Sequence, residues 1–149
     1  MKIAVFIVAL LAASVACQAQ NTVEVCMTDL QNDVQFVQGL VEAVETKNVV
    51  KVVLQVTMAQ PLIQQTVSDC RAIKKLDIVS YIYSKLSIEQ KECLASVMGT
   101  VFAANTLKID FDQKNYLQVI QDLANLTTQV QDTKQRCNGF FGLKFEGKP

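Results

Sequence analysis

The chain contains no histidine and no tryptophan, and it has only five glycines and two prolines. Histidine is the commonest general base and the commonest transition-metal ligand, so its absence argues against histidine-dependent catalysis and metal sites. The glycines form no phosphate-binding loop, because three of them lie near the carboxyl end. We therefore predict no catalytic, metal-ligating or cofactor-binding residues and expect a protein that is not an enzyme.

Charge of either sign is neither abundant nor concentrated. Fourteen basic residues balance fourteen acidic ones, and no run of like charge exceeds two residues. Nucleic-acid binding needs a concentrated basic face that displaces counterions, and attachment to anionic membranes needs a similar cluster. The sequence therefore predicts no nucleic-acid partner.

Residues 1–19 have the pattern of a secretory signal peptide, with a short positive start, an apolar run over Ile3–Ala13 and small residues after it. The apolar run is shorter than the ~20 residues that span a bilayer. We predict cleavage after Ala19, secretion to the extracellular space and one domain over 20–149 without a transmembrane segment. Lipid attachment at Cys17 is the alternative, although the usual large aliphatic residue three positions earlier is missing.

Four cysteines follow the predicted cleavage site, and an even number in a secreted chain is typical of disulfides rather than free thiols. None of them has the close spacing of zinc or redox sites. The first pair and the second pair are each separated by 44 positions, which predicts the bonds Cys26–Cys70 and Cys93–Cys137.

A shift of 67 residues superposes the two cysteine-bounded segments without a gap and indicates an internal duplication. Each segment has a Lys-Asn pair at its midpoint. If the chain reverses direction there, each segment forms two antiparallel helices of ~32 Å each. Each disulfide would then close the open end of one hairpin. The two repeats extend over about 26–70 and 93–137, and identical residues coincide at Val34/Val101, Leu40/Leu107, Lys47/Lys114, Asn48/Asn115, Val52/Val119 and Thr66/Thr133.

Apolar residues recur every three or four positions along most of the chain, which predicts an all-α bundle of about five helices. Pro61 should break the second helix just before it. Residues 71–92 should form a connector helix, with Ser87 and Gln90 as a capping box for the next one. The predicted buried positions are Val23, Met27, Leu30, Val34, Val37, Val41, Val44, Val49, Val52, Val56, Ala59, Ile63, Val67, Ile73, Leu76, Val79, Tyr83, Leu86, Leu94, Val97, Val101, Ala104, Tyr116, Val119, Leu123, Leu126 and Val130.

The second repeat differs from the first near its midpoint. Its first helix should lose the apolar pattern around Asn105, and residues 107–111 alternate apolar and polar side chains as an extended turn does. The last helix is expected from about Gln113, with Asp112 as its cap. A tail over 138–149 follows.

The tail and one sequon are the remaining candidate sites. The apolar tail residues either cover an open end of the bundle or form an exposed interaction segment. Asn125-Leu126-Thr127 is a sequon for N-glycosylation at Asn125. The four tail residues are Phe140, Phe141, Leu143 and Phe145.

Two functions fit this sequence. Half of the residues are hydrophobic, which suits a binding protein that carries a small apolar molecule or lipid in the bundle interior. The alternative is a structural or protein-interaction component of an extracellular fluid, matrix or granule. Its glutamine-rich neutral helix faces would permit self-association, because two such faces do not repel each other electrostatically.

Overall fold

A computed structural model describes residues 22–145, and all of the regular secondary structure in this range is helical. The predicted signal peptide, residues 1–19, lies outside the described residues. In the described range, no helix combines the length and apolarity needed to cross a membrane.

Seven helical segments are present in residues 22–145, compared with the five or so that the sequence predicts. The difference arises where single residues interrupt two longer helices, at Asp33 and at Ala59. The second interruption confirms the predicted break before Pro61. The segments are α1 (22–32), α2 (Val34–Glu45), α3 (Val49–Met58), α4 (Gln60–Cys70), α5 (Lys75–Val79), α6 (Ile88–Asp112) and α7 (Tyr116–Cys137).

Helix α6 lies at the centre of the bundle and contacts α2, α3, α4, α5 and α7. Every residue from Cys93 to Met98 is buried, so this helix has apolar contacts on all sides rather than on one stripe. Its amino end is capped as predicted: the Gln90 amide N–H donates to the Ser87 hydroxyl at 3.1 Å, and the Ser87 amide donates to the Gln90 side chain at 2.9 Å.

The prediction of an extended turn over 107–111 is wrong, because α6 continues to Asp112. Leu107 is fully buried and extends the apolar face of the helix by another turn. Lys108 and Asp112 form an ion pair at 2.6 Å one helical turn apart, which also supports the helical conformation. The turn therefore comes later than expected, and Asn115 rather than Asp112 precedes α7.

The connector is not one helix over 71–92: it is helical over Lys75–Val79 and again from Ile88, where α6 begins. Leu76 and Tyr83 were predicted to be buried, but both are exposed, while Ile78 and Tyr81 occupy the core instead. Within α5, Ile78 rather than Leu76 faces the core, and Tyr83 no longer follows the helical period because α5 ends at Val79. The ammonium group of buried Lys91 then donates to the Tyr81 carbonyl at 3.0 Å and fixes the irregular segment against α6.

Disulfides join Cys26 to Cys70 and Cys93 to Cys137, the pairs that the spacing predicts. The first connects α1 to the end of α4, and the second connects the start of α6 to the end of α7. All four cysteines are fully buried within the core. Each bond therefore closes a segment of the chain at the end opposite its Lys-Asn turn.

Two local features recur at positions 67 residues apart. Lys47 and Lys114 both have a left-handed backbone, with φ of 55° and 61°. Each donates its amide N–H three residues back, at 3.0 Å in both turns. A second correspondence lies in the core, where buried side-chain hydrogen bonds join Thr66 to Asp33 and Thr133 to Thr100.

Glycine at either turn lysine is expected to stabilise the protein. A left-handed conformation costs a residue with a Cβ roughly 1–2 kcal/mol, and the greater freedom of glycine in the unfolded chain offsets part of this gain. We expect Lys47→Gly and Lys114→Gly each to raise the free energy of unfolding by about 0.5–1 kcal/mol. Chemical denaturation measures the change, and Lys51→Gly inside α3 is the control, with a loss of roughly 1 kcal/mol. Destabilisation by both turn variants would contradict the expectation.

Candidate functional site

An open groove of about 960 Å³ runs along α7 and is the main candidate site. One wall is α7, and the opposite wall comes from the end of α2, the following turn and the start of α3. Most of the side chains in contact with the groove are apolar. The lining residues are Val44, Glu45, Lys47, Val49, Val52, Ile120, Leu123, Ala124, Thr127, Val130, Gln131, Lys134, Gln135, Asn138 and Phe145.

An ion pair connects the two walls of the groove. The Lys134 ammonium of α7 lies 2.6 Å from a carboxylate oxygen of Glu45 at the end of α2. Both side chains keep partial contact with solvent, at 30% and 49% exposure. Lys47 also lines the groove, so the charged groups along it are two cations and one anion.

Apolar side chains on α7 remain exposed where they meet the groove. Ile120 is 66% exposed, although it lies one helical turn before the partly buried Leu123. Val49 on the opposite wall is 38% exposed. Open apolar surface of this kind on a helical bundle is a feature of ligand grooves and interaction sites.

The described part of the tail, residues 138–145, folds back against one end of the bundle. Leu143 is fully buried, and Phe140, Phe141 and Phe145 are partly buried against the core. The chain turns back after α7 through Gly139, whose φ is 88° and whose amide donates to the Leu143 carbonyl at 2.8 Å. This turn brings Phe145 to the groove.

The sequon residue Asn125 lies on the exposed side of α7. Its neighbour Ala124 lines the groove, and the Thr127 hydroxyl donates to the Leu123 carbonyl at 2.8 Å. A glycan on Asn125 would therefore stand beside the groove. Glycosylation remains a prediction.

Three aspartates cluster between α1 and α4, one helical turn from the Cys26–Cys70 bond. Burial is the largest of the effects that raise the pKa of Asp29 to about 7, and a hydrogen bond to Asp69 and electrostatic repulsion from it add to the shift. That hydrogen bond lowers the pKa of Asp69, and a second one from Gln65 at 2.7 Å acts in the same direction. Burial raises the pKa of Asp33 to about 6, against the opposing hydrogen bond from Thr66.

The free energy of unfolding is expected to fall as pH rises from about 5 to about 8. Asp29 and Asp33 have folded-state pKa values above the ordinary 3.8. The folded chain therefore binds more protons than the unfolded chain across this window, and the stabilisation is lost as both groups ionise. For Asp33 the loss is on the order of 1–2 kcal/mol after allowance for solvent screening.

Thermal melts across this pH range measure the effect, and Asp33→Thr is the matched variant. It would reproduce the Thr100–Thr133 pair of the second segment, which carries no ionisable group. We expect the melting temperature of this variant to depend less on pH than that of the wild type. An unchanged slope would show that Asp33 does not titrate in this range.

Several other carboxylates on α6 and α7 form contacts with neighbouring side chains. Asp112 pairs with Lys108, and the Ser96 hydroxyl donates to Asp132 at 2.6 Å. Asp110 hydrogen-bonds to Asp122 across the α6–α7 pair, which raises the pKa of Asp110. In residues 22–145, no group of three or more cysteine, aspartate or glutamate side chains is arranged to hold a metal ion.

Comparisons with protein-family models, with curated proteins and with solved structures find no match for this chain.

Sequence reasoning missed the groove and its ion pair. Glu45 and Lys134 are 89 positions apart, and nothing in the local pattern of either residue indicates that they meet. The one available signal was on α7, where Leu117 and Ile120 are apolar but lie off the predicted buried face. The structure leaves both exposed, and only Ile120 lines the groove.

Proposed function

We propose that this protein is a secreted, non-enzymatic binding protein that carries a small apolar ligand or lipid in the groove along α7. The observation that carries the proposal is the groove itself, which is about 960 Å³ and mostly apolar in its lining. Sites for small molecules are typically ~300–1,000 Å³ and have apolar walls with a few polar groups. The proposed ligand position is thus a surface groove rather than the bundle interior that the sequence suggested.

The two disulfides are consistent with this proposal because each closes the segment that supplies one wall of the groove. The α2 and α3 wall belongs to the segment that Cys26–Cys70 closes, and the α7 wall belongs to the segment that Cys93–Cys137 closes. A ligand in the groove would contact both segments. Stable disulfides require an oxidising compartment, which agrees with the proposed secretion.

Uptake of Nile red, a neutral probe that fluoresces in apolar surroundings, tests this function on the oxidised protein. We expect saturable binding that Ile120→Glu abolishes, because a carboxylate would then project into the apolar groove. Leu117→Glu is the matched control: it lies on the same helix, is 80% exposed and does not line the groove, so binding should persist. Wild-type protein without saturable uptake would refute the carrier function.

We also propose that the domain arose by duplication of a disulfide-closed helical hairpin. Support comes from the equal cysteine separations of 44 residues and from the two left-handed lysines. The buried pairs Asp33–Thr66 and Thr100–Thr133, which are 67 positions apart, add a correspondence that does not depend on the cysteines. Related chains should keep the 67-residue register, and an alignment in which insertions disrupt it would contradict the duplication.

A structural or protein-interaction role is the second candidate, and an exposed apolar stripe favours it. Four large side chains at intervals of four residues follow the outer side of α3 and α4, with exposures of 44% or more. Sedimentation over a range of concentrations tests self-association, which Leu54→Lys should suppress. A strict monomer at all concentrations would contradict this role. The stripe consists of Val50, Leu54, Met58 and Leu62.

A further inference from the structure

We infer that the ligand of the α7 groove is a single-chain amphiphile with an anionic head group, of the class of long-chain fatty acids. The inference rests on the proposed carrier function and specifies the chemistry of what is carried. It depends on how apolar and charged residues are distributed along the groove.

The apolar part of the groove matches the length of one acyl chain. On α7, the lining is mainly apolar from Ile120 to Val130, a distance of ~15 Å at 1.5 Å per residue. The hydrocarbon core of a bilayer is ~30 Å thick and contains two opposed acyl chains, so one chain occupies ~15 Å. The volume of about 960 Å³ lies at the upper end of the range for small-molecule sites.

The lining of α7 changes character beyond Val130. Gln131, Lys134 and Gln135 replace the apolar residues along the next turn and a half of the helix. An amphiphile needs this separation, because its chain gains free energy from apolar contact and its head group must keep polar partners. A purely apolar ligand would leave this polar section of the groove without a function.

The charges of the groove favour an anionic head group over a neutral or cationic one. Among residues 22–145, the charged lining residues are Lys47, Lys134 and Glu45, which give a net charge of +1. Glu45 already pairs with Lys134 at 2.6 Å. Lys47 has no ion-pair partner within residues 22–145, so its ammonium group is available to a ligand carboxylate.

Displacement of Nile red by three ligands of equal chain length tests the inference on the oxidised full-length secreted protein. The competitors are hexadecanoic acid, hexadecanol and hexadecyltrimethylammonium, each below its aggregation concentration. We expect the acid to bind about tenfold more tightly than the alcohol, which corresponds to about 1.4 kcal/mol, and the cation to bind most weakly. The double variant Lys47→Gln/Lys134→Gln should remove the preference for the acid, so that the acid binds no more tightly than the alcohol.

Two further variants separate charge effects from folding defects. Glu45→Gln should strengthen binding of the acid severalfold, because it releases Lys134 from its ion pair, and a misfolded protein would not gain affinity. Lys114→Gln changes the matching lysine of the other turn, which does not line the groove, and should have no effect.

The outcomes distinguish this inference from the carrier function. Equal binding of acid and alcohol, or lysine variants with wild-type preference, would overturn the anionic head group and leave the carrier function standing. Failure of the wild type to bind Nile red or any of the three ligands would overturn both.

Discussion

Serine at both Cys26 and Cys70 is expected to lower the free energy of unfolding by about 4 kcal/mol. The disulfide closes a loop of 44 positions, and the unfolded chain without it regains the entropy that this loop removes. Folded domains are stable by only ~5–15 kcal/mol, so a large part of the total would be lost. Denaturant unfolding of the wild type and of the double-serine variant measures the difference.

The second disulfide supplies a matched control, because Cys93 and Cys137 are also separated by 44 positions. Loop entropy alone predicts the same loss of about 4 kcal/mol for the corresponding double-serine variant. Any difference between the two variants must then come from the folded state. The neighbourhoods do differ: Asp29 and Asp69 lie beside the first bond, whereas Ser96 and Arg136 occupy the matching positions beside the second.

A loss below about 1 kcal/mol in either variant would mean that the bond does not constrain the unfolded chain as the structure implies. Nile red binding by the same variants adds a functional readout. Cys137 lies next to the groove-lining residues at the end of α7, whereas Cys26–Cys70 lies at the end of its segment opposite the groove-lining turn. We therefore expect loss of Cys93–Cys137 to weaken probe binding more than loss of Cys26–Cys70 under conditions where both variants remain folded.

Leu143→Ala is expected to cost about 2–5 kcal/mol, the second of the two largest effects. The side chain is fully buried although it lies in the irregular tail. Its amide donates to the Phe140 carbonyl at 2.9 Å, and the Phe145 amide donates to the Asn138 side chain at 3.1 Å. Truncation would leave a cavity at the end of the bundle and release the segment that brings Phe145 to the groove.

Leu117→Ala is the control for this prediction, since the same substitution at an 80% exposed site should change stability by less than about 0.5 kcal/mol. Thermal or denaturant unfolding of both variants gives the comparison. If Leu143→Ala were as mild as Leu117→Ala, the tail would not be part of the core, and its apolar residues would be available to a partner after all.

The helical hairpins were predictable because their signals are local or depend on simple counting. The period of three to four residues identified buried positions such as Leu30, Val37, Leu94 and Leu126, all of which the structure buries. Pro61 marked the break between α3 and α4. The cysteine separations gave the disulfide pairs, since equal spans on each side of a turn bring both ends level.

Prediction failed where tertiary contacts override the local pattern. Residues 107–111 alternate like a strand, yet they are helical because Leu107 packs against the rest of the bundle. The connector has a helical apolar pattern, yet most of it is irregular because Lys91 fixes Tyr81 in the core. In both cases the deciding contact is a tertiary one that the local apolar pattern does not contain.

The sequence by itself determined the helical class of this protein, the turn at Lys47-Asn48 and the disulfide pairs, because periodicity and spacing express the geometry of a single helix or hairpin. Only the tertiary structure decided where open apolar surface remains. The groove exists because α7 approaches the end of α2 closely enough for Lys134 to reach Glu45 but leaves Ile120 uncovered. That separation depends on how the two segments pack against α6, which no pattern within either segment specifies.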